Sequence, residues 1–228
     1  MRLKPRGWTA AVMLGLASTS ALASVVVVKS RGPSAKAYPP GKTLTSATKV
    51  TLKSGDVVTI LGPGSVRTLR GPGSFDTTQV GLEEASSQRG RFGAMRTGSV
   101  AHSPSLWDID VTQSGKVCVT DAKKLQLWRP QSDGAESVEL RPANGSAQKL
   151  SWASGKALAA WPATVAVADG GSYEIAWADR PDQSKLEVVT VGAVPKDRVS
   201  LAKILIDKGC ENQLEMLVAE TSKDASAN

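Results

Sequence analysis

The stretch that decides the fold runs from Lys49 to Asp76, KVTLKSGDVVTILGPGSVRTLRGPGSFD. Its apolar residues recur at every second position: Val50 and Leu52, then Val58 and Ile60, with Val66 and Leu69 behind them. Period-two alternation over runs this short specifies half-buried strands rather than helix. Ser54-Gly55-Asp56, Gly62-Pro63-Gly64-Ser65 and Gly71-Pro72-Gly73-Ser74 separate the runs. Proline fixes φ and glycine takes the positive φ of tight reversals, so each reads as a turn. The expected structure is a tight antiparallel meander within a small β-barrel or curled sheet. A phosphate-cradling loop must feed a helix N-terminus and carry a Lys-Ser/Thr pair. Val66-Arg67-Thr68 continues instead as strand, so both GPGS tetrapeptides read as hairpin turns.

Upstream, Arg2, Lys4 and Arg6 precede the apolar run Thr9–Leu16 and the small-residue motif Ala21-Leu22-Ala23. This is the pattern of a secretory signal, residues 1–23, cleaved after Ala23. The alternative is an uncleaved inner-membrane anchor, since Gly7–Val28 is 22 residues without a charge and long enough to span a bilayer. Its Ala, Ser, Thr and Gly content and the strand-like Val25–Val28 favour cleavage. The expected location is periplasmic or secreted, with no membrane span after cleavage.

The formal charge of +7 is unevenly spread. Ser24–Leu106 holds 11 Lys/Arg against 4 Asp/Glu, whereas Trp107–Asn228 holds 14 against 17. Opposite signs in the two halves suit a two-part protein whose halves attract each other, or whose basic half meets an anionic partner.

Within the first module, Ser24–Asp76, the series Gly41-x-x-Leu44 and Val50-x-Leu52-x-x-Gly55-Asp56-x-Val58 resembles the FecR-type domain of periplasmic signalling proteins. The resemblance is confined to this module and implies a β-rich, non-catalytic exported domain. Residues 77–105, rich in Ser, Gly and Arg, read as a basic flexible linker. Arg89-Gly90-Arg91-Phe92 offers one aromatic and no stacking platform, so nucleic acid is not an expected partner.

Residues 106–194 carry Trp107, Trp128, Trp152, Trp161 and Trp177. Alternating runs at Trp107–Val111, Val117–Val119, Leu125–Trp128, Val138–Leu140, Lys149–Trp152, Tyr173–Trp177 and Leu186–Val191 predict an antiparallel β-sandwich. Trp107, Trp152 and Trp177 share faces with aliphatic neighbours and read as core. Trp128 and Trp161 stand beside Pro130 and Pro162 at strand ends, where an exposed ring would suit sugar binding. Residues 195–223 predict a helical pair: Asp197 caps the first helix, Gly209 stops it, and Cys210, Leu214, Leu217 and Val218 mark the buried face of the second. Asp224–Asn228 is expected to be disordered. The fold expected is therefore mainly β: a barrel or curled sheet, a sandwich and a C-terminal helical pair.

Chemistry is sparse. The single histidine, His102, falls in the linker, where no scaffold would hold it as a catalytic base. One histidine and two distant cysteines make no zinc site. Asp108 and Asp110 lie two apart on a strand and point the same way, unlike the opposed carboxylates of a glycosidase. No catalytic, cofactor-binding or metal-binding residues are expected. Cys118 and Cys210 are the only cysteines and are expected to pair. The function expected is a non-catalytic exported interaction or regulatory module that contacts an envelope protein, with Arg67 and Arg70 as contact residues. The alternative is a polysaccharide- or peptidoglycan-binding module using Trp128, Trp161 and basic residues, with an anionic polymer as partner.

The leader pattern predicts that the exported form begins at Ser24. Intact-mass measurement checks this, and a mature protein retaining residues 1–23 would show that no cleavage occurs.

Overall fold

The computed structural model describes residues 24–45, 48–77, 103–177 and 181–227. Residues 1–23, expected to be a signal, and residues 78–102 of the expected linker, with Arg89, Arg91 and His102, lie outside them.

The first unit contains β1 (Ser24–Arg31), β2 (Thr43–Thr45), β3 (Lys49–Leu52), β4 (Val57–Leu61), β5 (Val66–Arg70) and β6 (Gly73–Asp76). Four strands pair in the order β2-β1-β4-β5, while β3 pairs with β6. Residues 49–76 are therefore not a simple meander. The β4–β5 hairpin, closed over Gly62–Ser65, is nested between β3 and β6. The reason is that β1 occupies the other edge of β4, leaving β3 to cross the core and meet β6. Val25, Val27, Leu44, Val50, Leu52, Val58, Ile60 and Leu69 fill that core.

Strand β1 is buried on both faces. Val25 and Val27 enter the core just described, while Val26 and Val28 turn the other way. A β-bulge between Val27 and Lys29 then resets the alternation. Without it, Lys29 and Arg31 would follow Val25 and Val27 into the core. With it, Lys29 sits opposite Thr59 and Arg31 opposite Val57, on the face away from the core.

The second unit is a sandwich. One sheet has the order β11 (Gln148–Trp152), β10 (Glu136–Pro142), β13 (Ser172–Trp177), β14 (Gln183–Thr190), β8 (Gly115–Val119). The other has the order β12 (Leu158–Ala160), β9 (Gln126–Trp128), β7 (Ile109–Asp110). Most pairs are antiparallel, but β8 runs parallel to β14 and β7 parallel to β9. The chain leaves β7, crosses to the other layer as β8 and returns as β9, so β7 and β9 point the same way. Ile109, Leu127, Val138, Leu140, Trp152, Ile175 and Val188 are among the residues packed between the layers.

Helices α1 (Arg198–Lys208) and α2 (Glu211–Ala227) lie between the units. Asp197 caps α1, its side chain accepting the Ser200 N–H at 2.8 Å, and Gly209 ends it in the left-handed conformation. Val26, Val28 and Leu61 of the first unit, Cys118 and Val191 of the second, and Val199, Ala202, Leu205, Leu214 and Leu217 of the helices form one buried layer. The exposed Lys29–Glu215 pair, 3.2 Å apart, stands at its rim. The expected disorder from Asp224 is corrected: α2 continues to Ala227, and Asp224 pairs with Arg198 of α1.

Two devices fix α2 to the sandwich. Cys118 on β8 and Cys210 before α2 form a disulfide, with Cα atoms 5.8 Å apart. One turn on, the buried Gln213 accepts the Cys118 N–H at 2.6 Å and donates to the carbonyls of Cys118 and Leu106 at 2.8 and 2.9 Å. The side-chain amide thus pairs with the backbone on the outer edge of β8, as another strand would.

Closing a loop of 92 residues makes the bridge worth on the order of 4–5 kcal/mol by chain entropy. Cys118→Ser and Cys210→Ser are expected to lower the denaturant midpoint by similar amounts, with the double variant no worse than either single one. Additive losses would show that the two thiols stabilise independently.

Candidate functional site

The first unit is the electrostatically unbalanced part of the molecule. Its residues 24–77 include eight lysines and arginines against two aspartates, Asp56 and Asp76. Asp56 is only 1% exposed and is consumed by the fold. Its carboxylate accepts the Ser34 N–H at 2.8 Å and the Lys53 N–H at 2.6 Å, and its carbonyl accepts the Gly71 N–H at 3.0 Å. Three turns, at 31–34, 53–56 and 70–73, are therefore knotted around one residue.

Two glycines make the knot possible by close approach. A Cβ at Gly32 would fall 2.6 Å from the Asp56 carboxylate, and one at Gly71 would fall 2.0 Å from the Lys53 carbonyl. Each knotted turn also carries a cation: Arg31, Lys53 and Arg70, all exposed. Cross-strand register places Arg31 and Arg70 on either side of Val57, on one face of the sheet. Among the described residues, neither arginine is in an ion pair with a carboxylate. The folding requirement of Asp56 thus gathers unmatched positive charge at one end of the unit.

Burial pushes the Asp56 carboxyl up, but the hydrogen bonds from Ser34 and Lys53, with the nearby Lys53 charge, outweigh it and hold the group below its ordinary value of 3.8.

The expected contact residues separate. Arg67 and Arg70 project to opposite faces of β5, because Arg67 faces Ile60 and Arg70 faces Val57. The Arg67 guanidinium donates to the Asp76 carbonyl at 3.2 Å, whereas Arg70 is open. Trp128 and Trp161 are 4% and 8% exposed, which corrects the expectation of rings standing free beside proline. The Trp161 indole donates to the Val165 carbonyl at 2.9 Å and meets the Tyr173 ring edge-on at 5.0 Å. Next to Trp128, Arg129 is buried rather than marking a surface turn. It donates to carbonyls of Ser132, Gly134, Ala153 and Lys156 and to Glu136, folding this end of the sandwich around itself. Sequence reasoning missed the burial of Arg129 and Gln213, which were indistinguishable from ordinary surface residues, and read Asp56 only as part of a turn and of the Gly-Asp-x-Val series.

Charge on the sandwich behaves differently. Across the outer face of its large sheet, Glu139 stands opposite Lys149, Arg141 and Lys185 opposite Glu174, and Glu187 opposite Lys116. Opposite signs face each other, so little net field remains. Asp108 and Asp110 line a cleft of about 390 Å³ with Asn212 and Glu215. Both serve local structure: Asp108 accepts from Ser103, and Asp110 accepts the Thr112 N–H and hydroxyl.

Because the folded-state value of Asp56 lies below the unfolded one, its stabilisation is present above about pH 4 and is lost as pH falls through the folded value. Asp56→Asn is expected to lower the melting temperature at neutral pH and to flatten its decline between about pH 5 and about pH 3. An unchanged acid limb in the variant would show that other carboxylates set the acid limit.

No family model matches the chain, and no curated protein or solved structure matches it either.

Proposed function

We propose that the chain is an exported, non-catalytic binding module that holds an anionic envelope partner through the cationic end of its first unit. The observation that carries this is the knot at Asp56, which presents Arg31, Lys53 and Arg70 together, with Arg31 and Arg70 in no ion pair among the described residues. Export is supported by the leader pattern of residues 1–23 and by the pairing of both cysteines, a bond that persists in oxidising compartments. The FecR-type resemblance fits the same reading. Residues of that series have folding roles: Leu44, Val50, Leu52 and Val58 are core, Gly55 turns with φ of +84°, and Asp56 ties the knot. The series therefore builds a scaffold, and binding falls to the cations around it. The alternative of sugar binding by exposed tryptophans lacks support, since Trp128, Trp152, Trp161 and Trp177 are buried and Trp107 packs partly buried against the layer between the units.

The test is retention of envelope components by the immobilised chain starting at Ser24. Contacts between exposed charges are screened beyond about 8 Å at physiological ionic strength. The expected outcome is capture at about 0.05 M salt, release by about 0.5 M, and loss of capture by the variant Arg31→Glu, Lys53→Glu, Arg70→Glu. A partner held by that folded variant regardless of salt would place binding elsewhere.

A further inference from the structure

Helices α1 and α2 cover only part of the face that β1, β4 and β5 turn away from their core. Val26, Leu61 and Val66 form the covered row, directly paired across the strands. The next rows, Lys29–Thr59–Thr68 and Arg31–Val57–Arg70, continue on the same face beyond the buried layer. The bulge after Val27 is what delivers Lys29 and Arg31 to it. The rows are about 7 Å apart along the strand, and Arg31 and Arg70 are separated by two strand spacings, about 10 Å. Lys53, in the knotted turn, extends the charge past the end of the sheet.

We infer that this open half-face is a track for a flexible polyanion carrying repeated phosphate groups. The inference rests on the proposed function and specifies the partner's chemistry. A folded protein partner would draw its affinity from an apolar anchor buried in a pocket. Among the described residues this unit offers none: Tyr38 and Phe75 pack against its own core, and the exposed large apolar residues, Leu158 and Val194, lie outside it. A flexible polyanion needs only unmatched cations and gains from counterion release. Phosphate is favoured by the donor set. Arginine forks suit phosphate oxygens, and the hydroxyls of Thr59 and Thr68, 3.1 Å apart, share one hydrogen bond and leave the second hydroxyl hydrogen for a ligand. Glu215, paired with Lys29 at 3.2 Å, is the carboxylate at the edge of the track and competes with an incoming anion.

Fluorescence anisotropy with end-labelled inorganic polyphosphate tests this on the chain starting at Ser24, with circular dichroism confirming that each variant is folded. Arg31→Gln with Arg70→Gln is expected to weaken binding at least about tenfold and to reduce the salt slope by about one per cation removed. Glu215→Gln is expected to strengthen binding severalfold, a gain that damage to the fold would not produce. Lys49→Gln, on β3, is expected to leave it unchanged. Equal binding of poly-glutamate would overturn the preference for phosphate, and binding to anionic phospholipid vesicles but not to polyphosphate would replace the polymer with a lipid surface. Loss of binding in Lys49→Gln but not in the arginine variant would overturn the track while leaving the basic unit as the binding part. Failure of all three probes together with failure of salt-sensitive envelope capture would remove the proposed function itself.

Discussion

The architecture depends on an apolar layer with no sheet of its own. Strands β1 and β8 each bury residues on both faces, so each needs two partners. Their own units supply one: the first core takes Val25 and Val27, and the sandwich takes Val117 and Val119. The helical pair supplies the other, covering Val26 and Val28 on one side and Cys118 on the other. Burying a valine or leucine contributes about 1.5–3 kcal/mol, so a layer shared by both units binds them more firmly than their opposite charges do across water. The disulfide and the Gln213 amide then fix where along β8 the second helix sits, which apolar packing alone specifies poorly.

With the units joined by apolar packing, their charge is left free for other uses, and the two units use it differently. The sandwich pairs opposite signs across neighbouring strands. The first unit folds its one deeply buried carboxylate into a knot and leaves Arg31 and Arg70 beside it in no ion pair among the described residues. The imbalance follows from the fold, because any side chain that satisfied the Ser34 and Lys53 amides would have to turn inward.

Much of this architecture was legible in the sequence, and the boundary of legibility has a physical cause. Alternation gave the core faces of Val50, Leu52, Val58 and Ile60, and the caps Asp197 and Gly209 bounded α1, because these signals are local. The pairing of Cys118 with Cys210 was legible by elimination. What failed was non-local. The bulge in β1 is set by pairing with β4, the β3–β6 pair by competition for an edge, and the burial of Arg129 by partners up to 27 residues away. At the candidate site, Arg70 was singled out with Arg67 as a cation on the strand between the GPGS turns, but its grouping with Arg31 depends on register and on the Asp56 knot.

The double burial of β1 also constrains how the molecule comes into being. Among the described residues β1 precedes every other element, and the helices that cover Val26 and Val28 follow them all. The first unit therefore cannot finish folding until both helices have been made. Until α1 and α2 arrive, a valine-rich strand shows one bare face, the kind of surface through which nascent chains aggregate. Chain order thus makes α1 and α2 the guardians of a strand made long before them, and any event that removes the helices exposes β1 rather than their own neighbours in sequence.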